Sequence, residues 1–208
     1  MGAMAFQTVD HPLARHWMTI LRDEGTSRGA FRTAAWRLSQ LVALEAMRDA
    51  PEVPVEVRTP LESARGWRVE TPPTVVPILR AGLAMAEPIL ELFPDAAMGH
   101  VGLARDEATA EARPYYRRIP SDAHGVVLVV DPMLATGGSL IQALDMVRAA
   151  GAGDIRALSL VAAPEGIAAV AAAHPDVRLF GAAVDRGLDA RKYILPGLGD
   201  FGDRWCGA

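Results

Sequence analysis

The sequence predicts a single α/β domain: a parallel sheet with helices on both faces. Three observations carry this reading. The chain has 208 residues, half of them hydrophobic, which is enough apolar material for one sizeable core. From residue 74 onward, short apolar runs alternate with helical segments. Those runs are continuous and do not alternate with polar residues, the pattern of strands covered on both faces.

Taken in order, residues 11–48 place apolar side chains at helical spacing, with Leu13, Trp17, Ile20 and Leu21, then Phe31, Leu38, Leu41, Val42 and Leu44. Interruptions at Gly25-Thr26-Ser27 and at Gly29 divide this stretch into two N-terminal helices. Residues 50–73 are rich in Pro and polar groups, with short alternating stretches at 53–57 and 67–69, which suits an edge hairpin or a loose connection. Strands are then expected at 74–79, 98–103, 126–130, 155–162 and 177–184, and helices at 83–92, 139–150 and 167–173. Parallel sheets bind ligands beyond the carboxyl ends of their strands. Chemistry is therefore expected at Leu79-Arg80, Leu103-Ala104-Arg105 and Val130-Asp131. No internal repeat or linker divides residues 1–208, and Met1-Gly2-Ala3-Met4 reads as an expression remnant.

Composition excludes several classes. A net charge of -4 argues against a chain that coats nucleic acid, because that binding relies on a positive field to neutralise phosphates. No apolar run is long enough for a membrane span, and the N-terminus lacks the order of a signal peptide. The lone Cys206 cannot form an internal disulfide, and no Cys/His spacing resembles a zinc site, so a reducing, cytoplasmic compartment and no directly held metal are expected.

The strongest local signal is Val126-Val127-Leu128-Val129-Val130-Asp131-Pro132-Met133-Leu134-Ala135-Thr136-Gly137-Gly138-Ser139, a buried strand that runs through a turn into a helix. Gly137 and Gly138 let the backbone approach an anion, and the helix adds its positive end. Thr136 and Ser139 offer hydroxyl donors. A helix end contributes only about 0.3–1 kcal/mol, so several donors must act together. Asp131 repels phosphate but accepts hydrogen bonds from sugar hydroxyls, so a sugar phosphate suits the loop better than free phosphate. The plainer reading is a strand-to-helix turn capped by Ser139.

Other motifs fall away. There is no Gly-x4-Gly-Lys-Ser/Thr loop. Gly197-Leu198-Gly199-Asp200-Phe201-Gly202 matches a dinucleotide fingerprint by letter, but only six residues follow it, too few to complete such a unit. His11, His16, His100, His124 and His174 show no ligand spacing and read as structural or exposed.

Five segments in order resemble the uracil phosphoribosyltransferases. They are Val76-Pro77-Ile78-Leu79-Arg80-Ala81-Gly82-Leu83, Gly102-Leu103-Ala104-Arg105-Asp106-Glu107, the loop Asp131 to Ser139, Leu160-Val161-Ala162-Ala163-Pro164-Glu165-Gly166-Ile167, and Tyr193-Ile194-Leu195-Pro196-Gly197-Leu198-Gly199-Asp200-Phe201-Gly202-Asp203-Arg204. The resemblance implies the type I phosphoribosyltransferase fold, with a small C-terminal hood over the site. It also implies the reaction of uracil with 5-phosphoribosyl pyrophosphate (PRPP), delivered as its Mg2+ complex, to give uridine monophosphate (UMP) and pyrophosphate. Residues 131–139 would hold the ribose and its 5-phosphate, Arg80 and Arg105 would meet the pyrophosphate, and Asp200 would add a second contact to PRPP. Arg105, Asp131 and Asp200 are the implied catalytic residues. Tyr193, Ile194, Gly199, Asp200 and Phe201 would surround uracil, with backbone groups reading its edge.

The polar segment at 106–119, with Tyr115-Tyr116 and Arg117-Arg118, is long enough for an arm that either closes over the site or forms a dimer contact. The chain departs from the family pattern at Ala104, where Tyr is usual, at Arg186, where an acidic residue is usual, and at Arg191-Lys192, where His-Gly is usual. A homodimer or larger homo-oligomer, and activation by guanosine triphosphate, are carried by resemblance alone. The alternatives are a related phosphoribosyltransferase acting on another base, and a regulator on the same fold that senses PRPP or UMP and binds RNA. The acidic balance of the chain weighs against the regulator.

Overall fold

A computed structural model describes residues 6–105, 112–121 and 125–207. In chain order its elements are β1 (Gln7–Thr8), α1 (Pro12–Arg22), α2 (Arg28–Ala46), β2 (Glu52–Arg58), β3 (Ser63–Val69), β4 (Thr74–Leu79), α3 (Leu83–Leu92), β5 (Ala97–Met98), β6 (His100–Arg105) and β7 (Ala112–Arg118). They continue with β8 (Val126–Val130), β9 (Met133–Leu134), α4 (Gly138–Ala149), β10 (Asp154–Ala162), α5 (Pro164–Ala173), β11 (Arg178–Val184), β12 (Gly187–Leu188), β13 (Ile194–Leu195) and α6 (Phe201–Cys206).

The main sheet runs β1-β11-β10-β8-β4-β6-β7, with β5 beside β4 and β9 beside β10. Its pairings are parallel except that β7 returns antiparallel to β6. Successive side chains of a strand point to opposite faces, and here each face has its own core. Val75, Leu128, Val130, Leu158 and Phe180 pack with α1, α2 and α3, whereas Val76, Val127, Val129, Ala157 and Leu179 pack with α4 and α5. Burying one such Val or Leu contributes on the order of 1.5–3 kcal/mol, which is why the continuous apolar runs commit to the centre of the sheet.

The crossover from β4 to β6 passes through α3 on one face. Those from β8 to β10 and from β10 to β11 pass through α4 and α5 on the other. Strand order therefore reverses between β4 and β8, and a crevice opens beyond Leu79 and Val130.

Two N-terminal helices form as expected, each with a side-chain cap. His11 Nδ1 accepts the Leu13 N–H at 3.1 Å, and Ser27 Oγ accepts the Ala30 N–H at 3.3 Å. Gly29, read as an interruption, lies inside the first turn of α2, where Ser27 has already started the helix. Residues 50–73 form a hairpin, but β2 and β3 make a sheet of their own and do not edge the main one. The strand expected at 98–103 is broken at Gly99, whose N–H donates to Val75 O at 2.9 Å. The proposed arm is partly an edge strand, β7, and residues 106–111 lie outside the described residues. Fully buried Arg156, unforeseen in the sequence, is matched by Asp49 at 2.7 Å and Asp154 at 2.6 Å, and also donates to the Ala46 carbonyl, tying the end of α2 to β10. Among the described residues no helix is long and apolar enough to cross a membrane.

Candidate active site

The crevice holds a cavity of about 550 Å³, and a narrow recess of about 60 Å³ adjoins it. Asp131, Met133 and Ala135 border both.

The recess is built by residues 134–140 together with Asp131, Met133 and Ser159. Gly137 takes φ 85° and caps α4 without a side-chain hydrogen bond. The N–H groups of Gly138, Ser139 and Leu140 thus have no intrahelical acceptor and border the recess, together with the positive end of the helix. The loop leading to them is not loose. Leu160 and Val161 donate to Pro132 O at 3.0 and 3.1 Å, Ala163 donates to Leu134 O at 2.8 Å, and β9 pairs with β10. From the other side α5 presses on the loop through Gly166, where a Cβ would lie 2.4 Å from Ala135 O. Pro132, expected among the ligand contacts, is buried and borders neither cavity, because its carbonyl is turned toward β10.

Asp131 follows β8, and its N–H donates to Leu158 O at 3.1 Å. Burial pushes its carboxyl up to about 7, against the pull of the Met133 N–H that donates to it. Arg80 follows β4 across a cis Leu79–Arg80 peptide and borders the large cavity. Gly82 lets the turn behind it lie close to the sheet, since a Cβ there would be 2.4 Å from Val130 O. Arg105 closes β6 with its backbone, and its side chain lies outside the described residues.

Opposite these strand ends stands a hood formed by the β12–β13 hairpin and the loop at 196–200. Tyr193, Ile194, Gly199, Asp200 and Phe201 border the large cavity together. The region read as a misleading glycine motif is a built turn. Gly197 takes φ 61°, and a Cβ there would lie 2.2 Å from Ile194 O. Asp200 Oδ1 accepts the Asp203 N–H at 2.9 Å, which starts the short helix α6 that the sequence reading missed.

Sequence reasoning also missed what holds the hood. Buried Asp185 accepts both Arg22 guanidinium nitrogens, at 2.9 and 2.5 Å, and the Gly197 N–H at 2.8 Å, while Arg22 donates to Gly197 O at 2.8 Å. Arg204 ties Leu198 O to Leu21 O at 2.8 and 2.5 Å. Glu165, in the first turn of α5, accepts the Leu188 N–H at 3.0 Å and so braces the hood hairpin. A signal for Asp185 was present: like Asp131, it is an acid just past a buried apolar run.

Of the departures from the family pattern, Ala104, Arg191 and Lys192 border the large cavity, as does Tyr115 of β7, and Arg186 does not. Lys192 stands at φ 69°, a left-handed conformation that costs an L-residue on the order of 1–2 kcal/mol.

The family model described as uracil phosphoribosyltransferase matches residues 8–208. This chain belongs to the uracil phosphoribosyltransferase family. Family membership makes it a phosphoribosyltransferase, an enzyme that moves a pentosyl group. Among solved structures it is similar to the AQ2163 protein from Aquifex aeolicus, at 35% identity and a TM-score of 0.91, with 97% of each chain covered. It shares its fold with adenine phosphoribosyl transferase from Trypanosoma brucei, at 12% identity and a TM-score of 0.55, over 90% of this chain and 86% of that one.

Proposed function

We propose that this phosphoribosyltransferase joins uracil to the ribose of PRPP, releasing pyrophosphate and forming UMP. The observation that carries the reading is the adjacency of two spaces: a small recess at the first turn of α4 and a larger cavity bordered by Ile194 and Gly199-Asp200-Phe201, with Asp131, Met133 and Ala135 lining both. The 5-phosphate occupies the recess, where Thr136, Ser139 and the first turn of α4 donate to it. Asp131 accepts the ribose hydroxyls. Arg80, with Arg105 at the end of β6, grips the pyrophosphate through charge-assisted bonds worth about 1.5–3 kcal/mol each. Mg2+ arrives with PRPP as part of the substrate, and among the described residues Asp131 and Asp200 are the carboxylates bordering the cavity it would enter.

In this reaction the C1–O bond to pyrophosphate breaks, the C1–N1 bond to uracil forms, and the N1 proton is released. Positive charge develops on the ribose ring as in glycoside cleavage. The chain's part is to fix the three groups in line, hold the leaving charge and exclude water. Uracil presents an N3–H between two carbonyls, which matches a rigid main-chain carbonyl flanked by N–H donors. Cytosine, with an acceptor and an amino group in those places, leaves such partners unmade and is rejected on the order of ten-thousandfold. A cytoplasmic homo-oligomer fits the same reading, and activation by guanosine triphosphate is tested by adding it to the assay.

The test is a product assay with PRPP, Mg2+ and, in separate reactions, uracil, cytosine, thymine, hypoxanthine or orotate. UMP from uracil alone, lost in Asp131→Ala and Arg105→Ala, supports the assignment. No nucleotide from any base, with the protein folded and PRPP bound, removes it.

A further inference from the structure

Arg80, Arg191 and Lys192 border one cavity, and among the described residues none of their side chains makes an ion pair or a hydrogen bond. The arginines that hold the hood are different: Arg22 and Arg204 are fully engaged with Asp185 or with main-chain carbonyls. At the hairpin tip Asp189 is turned to the backbone. Asp189 Oδ1 accepts the N–H groups of Arg191 and Tyr193, both at 2.8 Å, and so fixes the backbone of the tip without pairing with the Arg191 or Lys192 side chains. Of the two carboxylates that border the cavity among the described residues, Asp200 already caps α6. Lys192 occupies a left-handed position that glycine would take without strain, and it adds a cation there. Three cations around one cavity raise the local potential and draw anions, and the carboxylates of Asp189 and Asp200, held by backbone N–H groups, offset this only in part.

We infer that Arg191 and Lys192 form a second anion subsite, on the hood side of the cavity and separate from the recess at α4, that grips a negatively charged group of the bound ligand. The inference rests on the phosphoribosyl-transfer reading. Two sources supply such a group: the pyrophosphate of PRPP, or an acidic substituent on the pyrimidine.

Titration calorimetry on the full chain separates them, with inorganic pyrophosphate and orotate as the anionic probes and uracil as the neutral one. The variants are Arg191→Gln and Lys192→Gly, with Arg37→Gln, at an exposed position of α2, as a control for net charge. Lys192→Gly removes the cation while relaxing the backbone, so thermal melting separates lost binding from lost folding. Each variant is expected to weaken pyrophosphate binding by about fivefold or more and to flatten its salt dependence, with Arg37→Gln unchanged. Loss confined to orotate assigns the subsite to an acidic base and upholds it. Unchanged affinity for both anions in both variants overturns the inference, as does an unaltered chain that binds neither. If the unaltered chain binds pyrophosphate through these residues yet makes no UMP, the uracil assignment falls and the subsite stands.

Discussion

Replacing Asp131 with Asn removes a group that holds its proton far more tightly in the folded chain than in the unfolded one. The carboxyl lies at about 7 when folded, against an ordinary 3.8. Between those values the folded state binds more protons, so stability falls as pH rises from 3.8 to about 7 and levels off above. At about 1.4 kcal/mol per pH unit, that gap amounts to about 4 kcal/mol at most. Asn keeps an oxygen to accept the Met133 N–H but has no charge to desolvate. The variant is therefore expected to match the unaltered protein near pH 4 and to exceed it by up to about 4 kcal/mol above pH 8, which for a chain of this size is on the order of 10 °C in Tm. Urea unfolding followed by circular dichroism at several pH values between 4 and 8.5 measures this directly. The stabilised variant should lose UMP formation, because an amide is a weaker acceptor for the ribose hydroxyls than a carboxylate. Equal pH slopes for the two proteins would refute the desolvation argument, whatever happens to activity.

Three further outcomes follow from the same contacts. Arg22→Ala leaves buried Asp185 without its partner and should cost about 3–5 kcal/mol, with the KM for uracil rising more than that for PRPP; unfolding curves and steady-state kinetics check both. Gly166→Ala drives a methyl to 2.4 Å from Ala135 O, which should displace the loop at 131–139, cost about 1–3 kcal/mol and, on the proposed function, raise the KM for PRPP. At the acid end, Asp49 is held below its ordinary value by the Arg178 hydrogen bond, and Asp154, despite burial that opposes it, by Arg156 and Arg178. Their stabilisation is complete above pH 3.8 and is lost as pH falls below it, so Arg178→Gln should flatten the acid limb of the stability–pH curve and leave the Asp131 limb unchanged.

Much of the sheet was readable because its code is local. The runs at 75–79 and 126–130 have no polar side chain that could face water, so each had to be an interior strand. The short strand β9 was hidden, because two residues inside a glycine-rich loop carry no periodicity and pair only because β10 lies beside them. The use of Gly197 to Gly202 was hidden for a similar reason: the α6 cap at Asp200 is local, but the turn is fixed by Asp185 and by Arg22, which lies 175 residues away.

The α/β class, the order of the main strands and helices, and the glycine-rich turn at 131–139 were written in the sequence, because apolar period and glycine placement act over a few residues. It also marked Arg80, Asp131 and residues 193–201 as belonging together, through their likeness to a family. Packing in three dimensions was needed to set β4 beside β8 with a crevice beyond them, to turn Pro132 away from that crevice, and to bring Arg22, Asp185, Glu165 and Arg204 together to hold the hood over it. The physical reason is range: a buried charge finds its partner 163 residues away, and nothing in the local pattern of either residue records which partner the packing will bring.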